Sequence, residues 1–508
     1  MTTLDRDGDP SGAPGDAPDG ADASLPVRPP ARPRSLRAHP AWIVVAASGA
    51  ILVRATIRQR LNTDVFWHLA AGNWMLRHHS VIRADVFSYT VHGHPWLAEE
   101  WGFEVLLAWM VRHVGPDSYW LLSGGACVLA FAVSVARWRR QGAGALWIAV
   151  LCIPVAAGLA MGIAPRPQDL SYLFFALELA LLTRARSRAR TLVLLPPLLL
   201  VWANIHGSFI AGLGVLGIEF LASLLARRDT SATGPATSRL HVAPALRVRD
   251  ALATLLGATA FSLVNPHGPR LIHYAFTVAT ASPLNAIVEW QSPNFHIPLF
   301  FVAIAIPTML IVVALATGRM PVDAVALVIW LALFAATLRG VRFAPYLAIA
   351  FGGLAAPFGR ALKESIRPTL LSAPVALVLS VALIVGHHPA PNAVDRADAP
   401  QAAASWLLAH RGRVFSTYTW NDYLISRDIP VFIDGRTDLY FGTGLLGTYF
   451  AVETVSRPPD PVFRRWHVRY VLWPAHSTLA NYLALDPSWR LARRFPGAEV
   501  FVATTPRA

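Results

Sequence analysis

Cysteine is nearly missing from this chain: among 508 residues only Cys127 and Cys152 occur. Both fall inside apolar runs and read as buried apolar side chains, so neither a disulfide framework nor a thiolate metal centre follows from them. Lysine is scarcer still, with Lys363 the one lysine among 44 basic residues. Charged residues of both signs make up only 15% of the chain. A formal charge of +14 would suit nucleic acid if it formed a continuous basic face. Here the arginines are scattered among short loops, which points instead to membrane orientation and anionic lipid, with no nucleic acid as partner. The preference for arginine and alanine reads as a GC-rich bacterial genome.

What the chain does have is apolar sequence, at a mean hydropathy of +0.44. Apolar stretches run over about 41–57, 118–136, 143–163, 169–183, 191–203, 208–226, 251–264, 298–317, 321–338, 341–358 and 369–386. A bilayer core of about 30 Å needs about 20 such residues in a helix, and several stretches reach that length only with their flanks. Eleven in series predict a polytopic α-helical membrane protein.

Arginine sets the expected orientation. The clusters at Arg28 to Arg37, Arg137 to Arg140, Arg184 to Arg190, Arg227 to Arg249, Arg319 and Arg360 to Arg367 fall on one side, which the positive-inside rule makes cytoplasmic. The N-terminus is then inside and the C-terminus outside. The outer side receives 58–117, 165–169, 204–208, 265–298, 339–342 and the chain beyond about 387. This alternation requires that Trp101 to Val114 lie in the interface without crossing, as Glu104 and Arg112 on it suggest. Three regions are expected: a disordered basic cytoplasmic tail over 1–39, a transmembrane domain over 40–388 with a first exterior loop at 58–117, and a small α/β exterior domain over 389–508. The tail lacks the form of a signal peptide, so the first apolar helix should remain as an anchor.

Nearly every chemically suggestive residue lies on the outer side. The first exterior loop carries Asp64, His68, Asp85, Glu99 and Glu100 among Trp67, Trp96 and Trp101. Carboxylates in that setting serve as a general base or metal ligands, or else as helix caps beside an aromatic belt. Arg166, between two prolines, offers a fork for phosphate. Asn204 with His206, and Asn265 with His267, place polar groups at helix ends, where membrane depth makes them costly unless they line a polar cavity. Glu289 adds a carboxylate there. Arg339 and Arg342 stand on the side that the positive-inside rule disfavours, which suits anion binding or pairing with Glu289.

The motifs Thr63 to His68, Arg166 to Gln168, Asn204 to Gly207, Asn265 to Gly268, Glu289 to Pro293 and Asp434 to Arg436, set in this layout, resemble the GT-C superfamily of integral membrane glycosyltransferases. In particular the chain is similar to bacterial members distantly related to polyprenyl-phosphate-sugar-dependent mannosyl- and arabinosyltransferases. The resemblance covers about 40–505 and implies a polyprenyl-phosphate-linked sugar as donor, with Asp64 as the catalytic acid of the first loop and Asp85 as a second. Arg166, Asn204, His206, His267, Glu289, Arg339 and Arg342 would bind substrate, and Asp64 and His68 would hold any divalent cation, Mg2+ or Mn2+. Asp64 lacks the adjacent second acid often found in that superfamily. Trp420-Asn421-Asp422-Tyr423 resembles the Trp-Trp-Asp-Tyr-Gly acceptor motif of oligosaccharyltransferases without its second Trp and its Gly. Trp420 and Asp422 are therefore acceptor-side candidates, and recognition of a peptide sequon does not follow.

The expected activity is inverting hexosyl or pentosyl transfer to an exterior glycan, lipid or protein in the bacterial cytoplasmic membrane. Two other classes use the same lipid-phosphate chemistry: a transporter or flippase for a lipid-linked sugar, and a polysaccharide polymerase or ligase.

Overall fold

The computed structural model describes residues 38–58, 62–185, 189–228, 240–242, 244–280, 288–318, 320, 322–361, 371–385 and 400–504. Most of the N-terminal tail expected over 1–39, and Arg319, lie outside them.

Helices occupy each of the eleven apolar stretches. In chain order the helices of the bundle begin with α1 (Ala41–Arg58), α2 (Asp64–His78), α3 (Trp101–Val114), α4 (Ser118–Arg140), α5 (Ala145–Gly162), α6 (Gln168–Ala185), α7 (Leu195–Ala203), α8 (Phe209–Arg228), α9 (Val248–Ser262) and α10 (Arg270–Thr280). They continue with α11 (Pro298–Thr317), α12 (Ala324–Arg339), α13 (Val341–Gly359) and α14 (Ser372–Val385). Among the described residues five of these, α4, α5, α8, α11 and α13, are long and apolar enough to cross a membrane. Shorter apolar helices cover Ala41–Ile57, Leu192–Ala203, Ala324–Arg339 and Ser372–Ile384. Leu121, Leu129, Leu221, Leu225, Met309 and Val378 stay exposed on the outer faces of the bundle. Apolar surface of that extent calls for lipid rather than water.

Two apolar cores divide the molecule. The first fills the bundle around the fully buried Trp138, Tyr172, Trp202 and Phe351. The second is assembled from α2, α3 and the C-terminal segment together, with Phe66, Phe103 and Leu107 in the same cluster as Phe415, Phe432 and Val471. α3 thus packs along α2 in the second core. Close approach is possible because α2 carries Gly72, where a Cβ would collide with the backbone carbonyl of Glu104.

The C-terminal segment is built on four strands, β1 (Arg413–Ser416), β2 (Val468–Pro474), β3 (Trp489–Phe495) and β4 (Ala498–Ala503), in the order β1-β2-β4-β3. β1 runs parallel to β2 and the other pairings are antiparallel, with Val471 opposite both Phe415 and Phe501. The segment between α2 and α3 adds to this sheet's edge. Ser88 and Val414 both bridge Val431, the Tyr89 amide donates to the Val431 carbonyl at 3.0 Å, and Tyr89 Oη donates to the Val414 carbonyl at 3.0 Å. Loop and C-terminal segment therefore form one body over the end of the bundle.

Candidate active site

A cavity of about 570 Å³ lies where these two cores meet. Its polar end is walled by α2 and the segment that joins it to α3, the mouths of the bundle helices and the Gly435 to Asp438 turn. Its apolar end runs between α8 and α12, past Gly214, Ile218, Leu333 and Ala336.

Asp64 opens α2, and its own amide donates to Asn62 Oδ1 at 2.9 Å. Asn62 and not Asp64 therefore serves that helix start, which leaves the Asp64 carboxylate free to face the cavity. There Arg166, held in the proline-flanked loop before α6, reaches Asp64 Oδ2 at 3.2 Å through Nη1 and Glu289 Oε2 at 2.5 Å through Nη2. Its buried Nε has no partner. Arg342 approaches the other Glu289 oxygen at 3.4 Å, donates to Gln168 Oε1 at 3.2 Å, and stacks 4.3 Å from the Trp290 ring. Two guanidinium groups thus converge on one carboxylate, with Asp64 at the edge of the network. The Asp64 side chain remains a quarter exposed to the cavity.

Burial in the protein raises the Asp64 carboxyl above the usual aspartate range, and Arg166 only partly opposes this. Burial would also raise Glu289, but Arg342 and Arg166 outweigh it and hold Glu289 below its ordinary value. His206 places a ring nitrogen 2.7 Å from Ser208 Oγ and 3.2 Å from Ser171 Oγ. Burial first, and the nearby arginines second, push its pKa down to about 3, so the imidazole is neutral at physiological pH.

A second group lies deeper. His68 Nδ1 is 3.5 Å from Glu104 Oε1 and 3.7 Å from Glu100 Oε2, and one donor atom from each residue lies within 4.8 Å of the other two. These three residues can hold a divalent cation. Of the expected cation pair, His68 belongs to this triad, whereas Asp64 is engaged by Arg166.

Other expected site residues serve as braces. Asn204 accepts from Trp101 Nε1 at 3.0 Å and donates to the Leu200 and Val264 carbonyls, and His267 Nε2 donates to the Ala98 carbonyl at 3.1 Å. Asp85 is fully buried and ion-paired at 2.5 Å with Arg436, which is also clamped by Asp434 at 2.6 Å and stacked near Phe87 and Trp96. Asp422 accepts from the Gly435 amide at 2.7 Å, and Trp420 is half-buried beside the second core. Arg339 is exposed at the end of α12. None of Asp85, Asn204, His267, Arg339, Trp420 and Asp422 lines the cavity.

The sequence pointed to no site role for Glu104, Gln168, Tyr274 or Tyr418, and favoured a turn with a salt bridge over an acceptor site for Asp434 to Asp438; Glu104, Gln168, Tyr274, Tyr418 and Asp438 all line the cavity. The spacing of Glu100 and Glu104 was the available signal, because residues four apart share a helix face. Asp438, which accepts from Tyr274 Oη at 2.7 Å, stood within a turn and gave no such pattern.

No protein-family model matches the sequence, and no curated protein does. Solved structures match over most of the chain. The archaeal oligosaccharyltransferase AglB from Archaeoglobus fulgidus, solved with an inhibitory peptide and a dolichol-phosphate, is 12% identical, with a TM-score of 0.51 over 85% of this chain and 69% of that one. Its apo form gives a TM-score of 0.52 at the same identity and coverage. ArnT from Cupriavidus metallidurans, bound to undecaprenyl phosphate, is 14% identical, with a TM-score of 0.52 over 93% of this chain and 99% of that one. At such identities the likeness speaks for architecture alone, and that architecture is the GT-C fold.

Proposed function

We propose that this protein is a glycosyltransferase of the bacterial cytoplasmic membrane that moves a hexosyl or pentosyl group from a polyprenyl-phosphate donor to an exterior glycan, lipid or protein. The observation that carries the reading is the convergence of Arg166 and Arg342 at the head of an apolar groove, with Asp64 beside them. A guanidinium pair binds a phosphate, and the groove between α8 and α12 suits an isoprenoid tail. AglB with its dolichol-phosphate and ArnT with its undecaprenyl phosphate each hold a polyprenyl phosphate, which agrees with this choice of donor. Eleven crossings with the N-terminus inside would place the cavity on the exterior side, and the C-terminal domain beyond about 389 would cover it.

In the proposed reaction Asp64 accepts the proton of an acceptor hydroxyl. The acceptor oxygen attacks the anomeric carbon from the face opposite the phosphate, the carbon–oxygen bond to phosphate breaks, and configuration inverts. Negative charge gathers on the departing lipid phosphate. Arg166 keeps Nε unpaired, and with Arg342 it stabilises that charge. Glu289 orients both arginines, and neutral His206 supplies a hydrogen bond instead of a competing charge. Asp85 and Asp422 act through the placement of the loop and the Gly435 turn.

The test is transfer of radiolabelled sugar from a panel of polyprenyl-phosphate sugars by purified protein and by Asp64→Asn. Turnover that collapses in the variant supports the transferase. Absence of turnover with every donor, together with lipid translocation that survives Asp64→Asn, would replace it with a flippase.

A further inference from the structure

We propose that His68, Glu100 and Glu104 form a site for one divalent cation of the Zn2+ or Mn2+ class, at the back of the cavity and separate from the Asp64–Arg166 pair. The side chain of Glu104 is fully buried, and neither of its oxygens has a hydrogen-bond partner. His68 is 1% exposed and its Nδ1 is likewise unpartnered. Buried polar atoms are normally satisfied, so unpartnered His68 Nδ1 and the unpartnered Glu104 carboxylate, facing each other at 3.5 Å with the half-buried Glu100 Oε2 3.7 Å from the imidazole, call for something between them.

Geometry supports a cation in that place. The 3.5 and 3.7 Å separations from His68 Nδ1 are close to the edges of about 3.4 Å that ligand bonds of about 2.0 to 2.2 Å imply in a tetrahedron. The imidazole is held in orientation by Trp67 at 3.6 Å and by the edge of Phe103 at 5.3 Å between ring centroids. One imidazole and two carboxylates, with no thiolate, favour Zn2+ or Mn2+ over soft metals. All three residues line the cavity, so coordination positions remain open towards it. The site joins α2 to α3, one turn along α2 from Asp64, and so positions the residue proposed as base. It does not depend on the transferase reading, because cation binding is measured without turnover.

The experiment uses the full-length protein in detergent, stripped with EDTA and titrated with ZnCl2 or MnCl2, with bound metal counted by mass spectrometry. One cation per chain is expected. Glu104→Gln and His68→Gln should each weaken binding by at least about 10- to 100-fold, the range seen even when only an outer-shell partner is lost. Less than stoichiometric metal in the native chain, or native affinity in both variants, would overturn the site. If the variants aggregate, Co2+ in the native chain decides. One equivalent of Co2+ bound per chain, with visible bands free of thiolate charge transfer and displaced by one equivalent of Zn2+, supports the site, whereas no stoichiometric, Zn2+-displaceable Co2+ refutes it.

Discussion

At the scale of single residues, the proposed chemistry rests on the balance between burial and charge at Asp64. Removing the carboxylate in Asp64→Asn should lower kcat by about 10²- to 10⁴-fold, the usual contribution of a general base, with the loss read in single-turnover transfer. The pH dependence has a definite sign. As the proposed base Asp64 would act only when ionised, and burial raises its pKa, so transfer should fall with acidification at a pH higher than an ordinary aspartate would give. Arg166 favours the ionised form, so Arg166→Gln should raise that pKa further and move the acid limb of the kcat/KM profile upward. A limb that stays put or moves down would contradict the pairing. His206 should add no limb between pH 5 and 8, since it remains neutral throughout that range.

At the scale of elements, the site is positioned by contacts that hold α2, α3 and the C-terminal segment together. Gly72 gives α3 its close approach. Gly72→Ala would force the Glu104 backbone away at a cost of about 1 to 3 kcal/mol, and thermal unfolding should record the loss. Arg436 is sealed between Asp85 and Asp434. Arg436→Met would leave two buried carboxylates without a counter-charge and should cost about 3 to 5 kcal/mol, visible as a lowered Tm. The sequence made some of this organisation legible and hid the rest for a physical reason. Arg166, His206, Glu289 and Arg342 stood out because polar groups beside apolar helices carry an energetic penalty that demands an explanation. Asp85 looked equally conspicuous, yet its partner Arg436 lies on a distant part of the chain, and nothing local distinguishes a carboxylate that locks a fold from one that faces substrate. Glu104 was concealed in the opposite way, as a lone acid that served to argue against a crossing.

At the scale of the whole molecule, the cavity joins two environments. Its polar end is enclosed by the body formed from the first loop and the C-terminal sheet, and its apolar end lies between α8 and α12 of the bundle. A donor with a charged head and a long isoprenoid tail would use both ends, whereas a water-soluble analogue with a short tail would use the first alone. Gly214 separates the two cases. It lines the groove, and a Cβ built on it meets nothing within 4 Å, so Gly214→Leu should extend into the groove without disturbing helix packing. A leucine there also improves intrinsic helix propensity by about 1 kcal/mol, which guards against loss through unfolding. The expected outcome is a KM raised by about tenfold for the long-chain donor, equivalent to about 1.4 kcal/mol, with kcat/KM for a short-chain donor nearly unchanged. Equal losses for both donors would place the tail elsewhere, because a groove that receives only the lipid should penalise only the substrate that carries one.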